Sequence, residues 1–115
     1  MGIKDLNSEI IEEIKDSVFN LYRDKLNKLI LFGSYARNDA ELESDIDILI
    51  LTDYSDAEIR KIRNELVKTS SFLDLKYEKV FSFLVVNNED FNKYSEFVPF
   101  YQNIQSEGIP FWTKV

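Results

Sequence analysis

Two short apolar runs, Leu29–Phe32 and Ile46–Leu51, dominate the hydrophobic pattern of the chain. Both are rich in isoleucine and leucine and short for a helix, so they predict strands that are covered on both faces. Between them, Gly33 and Ser34 predict a tight turn into a short helix, which a polar loop follows. A third apolar run, Val80–Val86, predicts a further strand.

Polar residues in capping positions predict where the first helices begin. Asn7 or Ser8 precedes apolar residues at helical spacing, so we expect an amphipathic helix that faces the core. Further along, Ser55 and Glu58 stand three residues apart and form a capping-box pattern. This pattern predicts a second long helix from Asp56 to about Lys68, whereas residues 70–79 fit either a helical tail or a loop.

The C-terminal stretch predicts a last helix followed by an edge segment. Pro99 suits the first turn of a helix, and Gly108 suits the C′ position that follows one. We expect Phe100 and Ile104 to be buried within this helix. Residues 109–112 then form an edge segment of the sheet.

Composition agrees with this outline and narrows the chemistry. The 115 residues are 44% hydrophobic and contain neither cysteine nor histidine. We therefore expect one globular domain, residues 1–115, of the α/β (α+β) class, with a small mixed sheet flanked by helices. The missing residue types exclude disulfides, thiolate zinc sites and histidine bases, so a catalytic metal must be held by oxygen ligands.

The net charge of −7 disfavours stable binding to nucleic acid across a basic surface. A basic partner protein suits this charge better. The sequence shows no signal peptide and no apolar run close to the ~18 residues that a membrane span needs. We therefore expect a cytoplasmic protein without a membrane anchor.

Four residues around the first two strands carry the candidate chemistry. Gly33 lets a ligand approach the backbone, and Ser34 begins a helix whose free N–H groups suit a phosphate. Asp45 and Asp47 stand two apart at the start of a strand, so their side chains point to the same face. Paired carboxylates repel one another unless a cation lies between them, and such oxygen ligands suit Mg²⁺.

The spacing Gly33-Ser34, ten residues, then Asp45-Ile46-Asp47 resembles the signature of the DNA polymerase β nucleotidyltransferase superfamily. The fuller run from Phe32 to Asp47 resembles the small stand-alone branch of that superfamily, the minimal nucleotidyltransferase (MNT) domains. The resemblance implies a polymerase β-like nucleotidyltransferase fold. It also implies that Asp45 and Asp47 are catalytic metal ligands and that Gly33 and Ser34 hold the phosphates of ATP.

The resemblance further implies a biological setting. MNT proteins frequently act as antitoxins that are paired with a HEPN-domain toxin, and some transfer AMP from ATP to a tyrosine of that toxin. Two alternatives remain open: a non-catalytic antitoxin that masks its toxin, and a subunit that modifies a small molecule. The acceptor, the base preference and any homo- or hetero-oligomer are left open by the sequence.

Three further charged residues are candidates for the site. Arg37 could bind a phosphate, or it could pair with an aspartate of the following loop. Catalytic members of the superfamily usually carry a third carboxylate on the strand beside the paired aspartates. The run 80–86 contains no acid, so Asp74 and Glu78, which precede it, are the nearest candidates for this third metal ligand.

Overall fold

A computed structural model of the chain describes residues 6–115. A four-stranded sheet lies at its centre, and helices pack on both faces. The strands are β1 (Leu26–Phe32), β2 (Ile46–Thr52), β3 (Phe81–Asn87) and β4 (Ile109–Thr113). The helices are α1 (Ser8–Tyr22), α2 (Ser34–Arg37), α3 (Asp56–Lys61), α4 (Arg63–Tyr77), α5 (Asn88–Tyr94) and α6 (Pro99–Glu107), with a 3₁₀ turn at Arg23–Lys25.

The sheet is mixed, and its strand order is β3-β2-β1-β4. Strand β1 runs antiparallel to both β2 and β4, and β2 runs parallel to β3. The parallel pair requires a crossover, which α3 and α4 provide. The predicted fold class, a small mixed sheet flanked by helices, is therefore confirmed.

Alternate residues of β2 enter two separate hydrophobic clusters. Ile46, Ile48 and Ile50 face one cluster, which contains apolar residues of α1 and α4. Leu49 and Leu51 face the other cluster, which contains Phe91 of α5 and Ile104 of α6. Because a strand alternates its side chains, a strand that is covered on both faces reads as a continuous apolar run.

Helix α1 begins where its cap predicts. The Asn7 Oδ1 atom accepts a hydrogen bond from the backbone N–H of Ile10 at 2.9 Å. Ile10, Ile14 and Val18 then follow at helical spacing, and all three are buried in the core. The prediction of a core-facing first helix is confirmed. Among residues 6–115, no helix is both long and apolar enough to span a bilayer.

The helix predicted over residues 56–68 is two helices. The capping box at Ser55 and Glu58 is present and begins α3. The chain then breaks at Ile62 (φ −100°, ψ 5°), and α4 runs on to Tyr77. The ambiguous segment 70–79 is therefore mostly helical, and the third strand begins at Phe81, one residue later than predicted.

The last helix differs from its prediction in two details. Ile104 is buried as expected, but the side chain of Phe100 is 49% exposed. Gly108 follows α6 directly with φ −67°, so it is not a left-handed cap. Its backbone N–H donates to the Ile104 carbonyl oxygen at 2.8 Å. Residues 109–112 lie in β4, an edge strand as predicted.

Candidate active site

Gly33 lies where β1 ends and α2 begins, and its backbone conformation requires glycine. Its φ is +74° and its ψ −153°, a region that residues with a Cβ rarely adopt. A Cβ added at this position would also overlap the Oδ2 atom of Asp47. The carboxylate of Asp47 therefore packs directly against the main chain of the Gly-Ser turn.

The sheet register fixes the position of Asp47. In β2 it pairs with Phe32 on β1 and with Ser82 on β3. Its side chain points to the face that also carries Leu49, which α5 and α6 cover. Asp47 is half-buried, whereas Asp45 precedes the strand and is exposed.

The surroundings of Asp47 change its acidity. Burial is the largest cause and raises the pKa of the Asp47 carboxyl above its usual range. The negative charge of Asp45 raises this pKa further, while Arg37 partly opposes both effects. The two aspartates are thus close enough to repel one another. An added cation would relieve this repulsion.

A cleft of about 370 Å³ opens at this point between the Gly-Ser turn and α6. Its volume falls within the range of known small-molecule sites. Asp47 and the turn form one side of the cleft, and α6 forms the other. The lining residues are Phe32, Gly33, Ser34, Arg37, Asp47, Phe100, Asn103, Ile104 and Glu107.

Arg37 makes two ion pairs at the mouth of the cleft. Its Nε atom donates to Asp39 Oδ2 at 3.3 Å, and its Nη1 atom lies 3.8 Å from Glu107 Oε2. Arg37 thus links the loop after α2 to the end of α6. The ion pair with Asp39 is one of the two roles that we considered for Arg37 from the sequence. The guanidinium also remains half-exposed beside the cleft.

Asp74 holds the start of β3 in the structure. Its Oδ1 atom accepts a hydrogen bond from the backbone N–H of Phe81 at 2.7 Å. Helix α4, which carries Asp74, packs on the opposite face of the sheet from Asp47. Asp74 therefore supports the start of β3, and its role as a third metal ligand stays a prediction.

Glu78 is not among the residues that line the cleft. It ends α4 with a left-handed conformation (φ 54°, ψ 42°), and its side chain is exposed. Within residues 6–115, no three acidic side chains gather in an arrangement that could hold a metal. On β3 the residue that pairs with Asp47 is Ser82, which is not acidic. The third carboxylate that the resemblance implied is therefore not found on this strand.

Asp45 and Asp47, the two carboxylates that remain, suit Mg²⁺ that is bound together with a nucleotide. Magnesium in phosphoryl-transfer sites is commonly held by one or two carboxylates together with substrate phosphates and water. Asp45 and Asp47 provide two carboxylates, and their mutual repulsion favours a cation between them. Sequence reasoning missed Asn103 and Glu107, because nothing in their local sequence distinguishes them from ordinary helix-surface residues.

Comparison with known proteins agrees with this geometry. The family model of the nucleotidyltransferase domain matches residues 11–109, which include both strands of the motif and the whole cleft. The chain belongs to this nucleotidyltransferase family. It is thus a nucleotidyltransferase domain, and the family predicted from the Gly-Ser and Asp-x-Asp pattern is confirmed.

Two relatives come from Methanocaldococcus jannaschii. The first, "Putative protein adenylyltransferase MJ0141", is 42% identical over 74 residues, which are 64% of this chain and 73% of the relative. The second, "Putative protein adenylyltransferase MJ0604", is 38% identical over 98 residues, which are 85% of this chain and 90% of the relative. The shared sequence therefore covers most of each protein.

Solved structures share the fold at lower identity. A crystal structure of a toxin–antitoxin with AMP-PNP matches with a TM-score of 0.58 and 17% identity, over 90% of this chain and 73% of that one. A mutant of the toxin–antitoxin MntA–HpeT also matches with a TM-score of 0.58, at 18% identity, over 95% of this chain and 75% of that one. The predicted nucleotidyltransferase fold is thereby confirmed.

Proposed function

We propose that this nucleotidyltransferase transfers AMP from ATP to a hydroxyl group of a partner protein, and that it depends on Mg²⁺. The observation that carries the proposal is the packing of the Asp47 carboxylate against the Gly33 turn. A phosphate-binding turn and an acidic pair must lie this close if one nucleotide is to contact both. The two relatives named as protein adenylyltransferases support a protein acceptor.

The partner that we propose is a HEPN-domain toxin, with this chain as its antitoxin. The support for this assignment is the fold shared with toxin–antitoxin structures, one of which was crystallised with AMP-PNP. The acidic net charge of −7 also suits a basic partner surface. A tyrosine hydroxyl of the toxin is the acceptor that the MNT resemblance implies.

The candidate site residues have distinct roles in this proposal. The backbone N–H groups of Gly33 and Ser34 bind the β- and γ-phosphates. Asp45 and Asp47 would hold Mg²⁺, which supplies positive charge against the phosphates when it is bound. Arg37 stays at the mouth of the cleft, where its charge can assist the phosphates while its ion pairs keep the loop in place.

The reaction itself is a displacement at the α-phosphorus of ATP. The acceptor oxygen forms a bond to this phosphorus, the bond to the bridging oxygen breaks, and pyrophosphate leaves with the electron pair. The hydroxyl proton is released to solvent. Because little covalent chemistry is required of the protein, most of its contribution is positioning and charge stabilisation.

Labelled ATP tests the proposal directly. The chain is incubated with Mg²⁺, [α-³²P]ATP and the product of the neighbouring gene, and label on that product is measured. We expect transfer that falls at least ~100-fold in Asp45→Asn plus Asp47→Asn, because charge stabilisation at the phosphate is lost. Asp16→Asn, an exposed change on α1, is the matched control and should retain transfer.

A masking antitoxin is the second candidate, and the absence of an acid opposite Asp47 on β3 favours it. In that case the chain protects cells from the toxin by binding it, and protection survives loss of both aspartates. The same variants therefore separate the two functions. Transfer that is absent from the unaltered chain, together with protection by the double variant, would overturn the enzymatic proposal and support masking.

A further inference from the structure

One face of α6 lines the cleft beyond the phosphate end. Phe100, Asn103, Ile104 and Glu107 follow at helical spacing and all border the same space. Ile104 faces the core and Glu107 pairs with Arg37, so each already has a structural role. Phe100 and Asn103 are different, because both side chains are exposed on the wall of the cleft.

Phe100 is held in place although it is half-exposed. Its ring contacts Phe32 edge-to-face, with centroids 5.8 Å apart and an interplanar angle of 81°. Phe32 is the last residue of β1 and directly precedes Gly33, so this contact ties the aromatic wall to the phosphate-binding turn. The ring also lies 6.2 Å from that of Tyr101, yet 49% of Phe100 stays exposed at the cleft, which leaves aromatic surface for stacking against a planar group.

We propose that this wall binds the nucleobase: the base stacks on Phe100, and the side-chain amide of Asn103 reads its edge with a preference for adenine. The inference rests on the proposed nucleotidyl transfer and specifies the substrate of the same cleft. A nucleotide then spans the cleft, with its phosphates at Gly33 and Asp47 and its base on α6.

The amide chemistry of Asn103 selects among bases. An amide offers one acceptor oxygen and a donor NH₂ side by side. Adenine presents the complementary pair, an N6 donor beside a ring-nitrogen acceptor, whereas the corresponding edge of guanine presents the two acceptors N7 and O6. Asn103 can therefore satisfy adenine with two hydrogen bonds and leaves a mismatched acceptor when it meets that edge of guanine.

The affinities of the chain for Mg²⁺–ATP and for Mg²⁺–tripolyphosphate distinguish binding of the base from binding of the phosphates. Calorimetry compares ATP with tripolyphosphate, which lacks the base and ribose. We expect Phe100→Ala to weaken ATP binding at least ~10-fold and to leave tripolyphosphate binding unchanged, because tripolyphosphate carries no base to stack on the ring. Phe100→Trp should restore ATP binding. Phe97→Ala removes another exposed ring, outside the cleft, and should change neither affinity.

The Asn103 arm tests the choice of base. In Asn103→Ala we expect the preference for ATP over GTP to fall at least ~5-fold, while tripolyphosphate binding is unchanged. Gln102→Ala is the control, since that amide donates to the Glu96 carbonyl oxygen at 2.8 Å and lies outside the cleft lining.

Three outcomes would overturn the inference. If Phe100→Ala binds ATP as tightly as the unaltered chain, the base does not stack there, and the proposed transfer is unaffected. If ATP and tripolyphosphate weaken equally in this variant, the residue supports the cleft and not the base. If the unaltered chain binds neither compound, the nucleotide site itself is wrong, and the base site falls with it.

Discussion

At the scale of single residues, Gly33 and Asp47 depend on each other. The glycine has a positive φ, and the space where its Cβ would lie is occupied by the Asp47 carboxylate. Two separate costs therefore follow from any larger residue at position 33. One is backbone strain, and the other is displacement of the carboxylate that we place at the metal.

Gly33→Ala separates these two costs. We expect the free energy of unfolding to fall by about 2 kcal/mol, which is the usual range for a strained backbone position with an added clash. In an Asp47→Ala background the same change should cost about 1 kcal/mol less, because the carboxylate that clashes is gone. Urea denaturation of the four proteins measures this coupling. Equal costs in the two backgrounds would contradict the contact.

The candidate site residues that could be found from the sequence are those that lie close together along the chain. Gly33, Ser34, Asp45 and Asp47 belong to one strand-turn-strand unit, so their spacing alone marks them as one candidate site. Phe100 was instead predicted to be buried, because a large aromatic residue in a helix usually faces a core. Its half-exposed position depends on how α6 crosses the cleft, and a single helix pattern does not contain that information.

At the scale of secondary structure, local signals predicted where helices begin better than where they end. The caps at Asn7 and Ser55 are both present. The length of α4 was not predictable, because its apolar residues are spread around the helix and leave Val67, Phe72 and Leu75 exposed. The break at Ile62 has no glycine or proline to mark it, and nothing in the structure explains it.

Helices α1 and α4 are joined by a polar contact that makes stability depend on pH. The Glu13 carboxylate accepts hydrogen bonds from Lys76 Nζ at 2.7 Å and from the Tyr77 hydroxyl. The hydrogen bond from Lys76, and then that from Tyr77, lowers the pKa of Glu13 below its usual range. A lowered pKa in the folded state means that the contact stabilises the fold above the unfolded pKa and is lost as pH falls through the folded pKa.

Glu13→Gln should therefore make the free energy of unfolding less dependent on pH in the acid range. We expect the variant to be less stable than the unaltered chain at pH 7, and the difference to shrink as the pH falls from about 5 to 3. Glu12→Gln is the matched control, since Glu12 pairs with Lys15 in its own helix and does not join two helices. A constant difference between variant and unaltered chain across this range, measured by urea denaturation, would contradict the contact.

At the scale of the whole molecule, the candidate site concentrates negative charge on a chain that already carries a net charge of −7. Asp45 and Asp47 repel one another, and the ATP that we propose would bring further negative charge beside Asp47. In this proposal a cation both holds the phosphates and offsets this repulsion. ATP and Mg²⁺ should consequently bind tightly when both are present, and each should bind only weakly without the other.

Thermal unfolding tests this interdependence. A ligand at about 100 times its Kd adds about 2.7 kcal/mol to the free energy of unfolding, which corresponds to a rise in Tm of roughly 10 °C for a domain of this size. We expect that rise with ATP and Mg²⁺ together, and a much smaller one with either alone. Asp45→Asn plus Asp47→Asn should start from an equal or higher Tm, because a repulsion is removed, yet show no rise with Mg²⁺ and ATP. Asp16→Asn should respond as the unaltered chain does, and an equal response of the double variant would place the cation elsewhere.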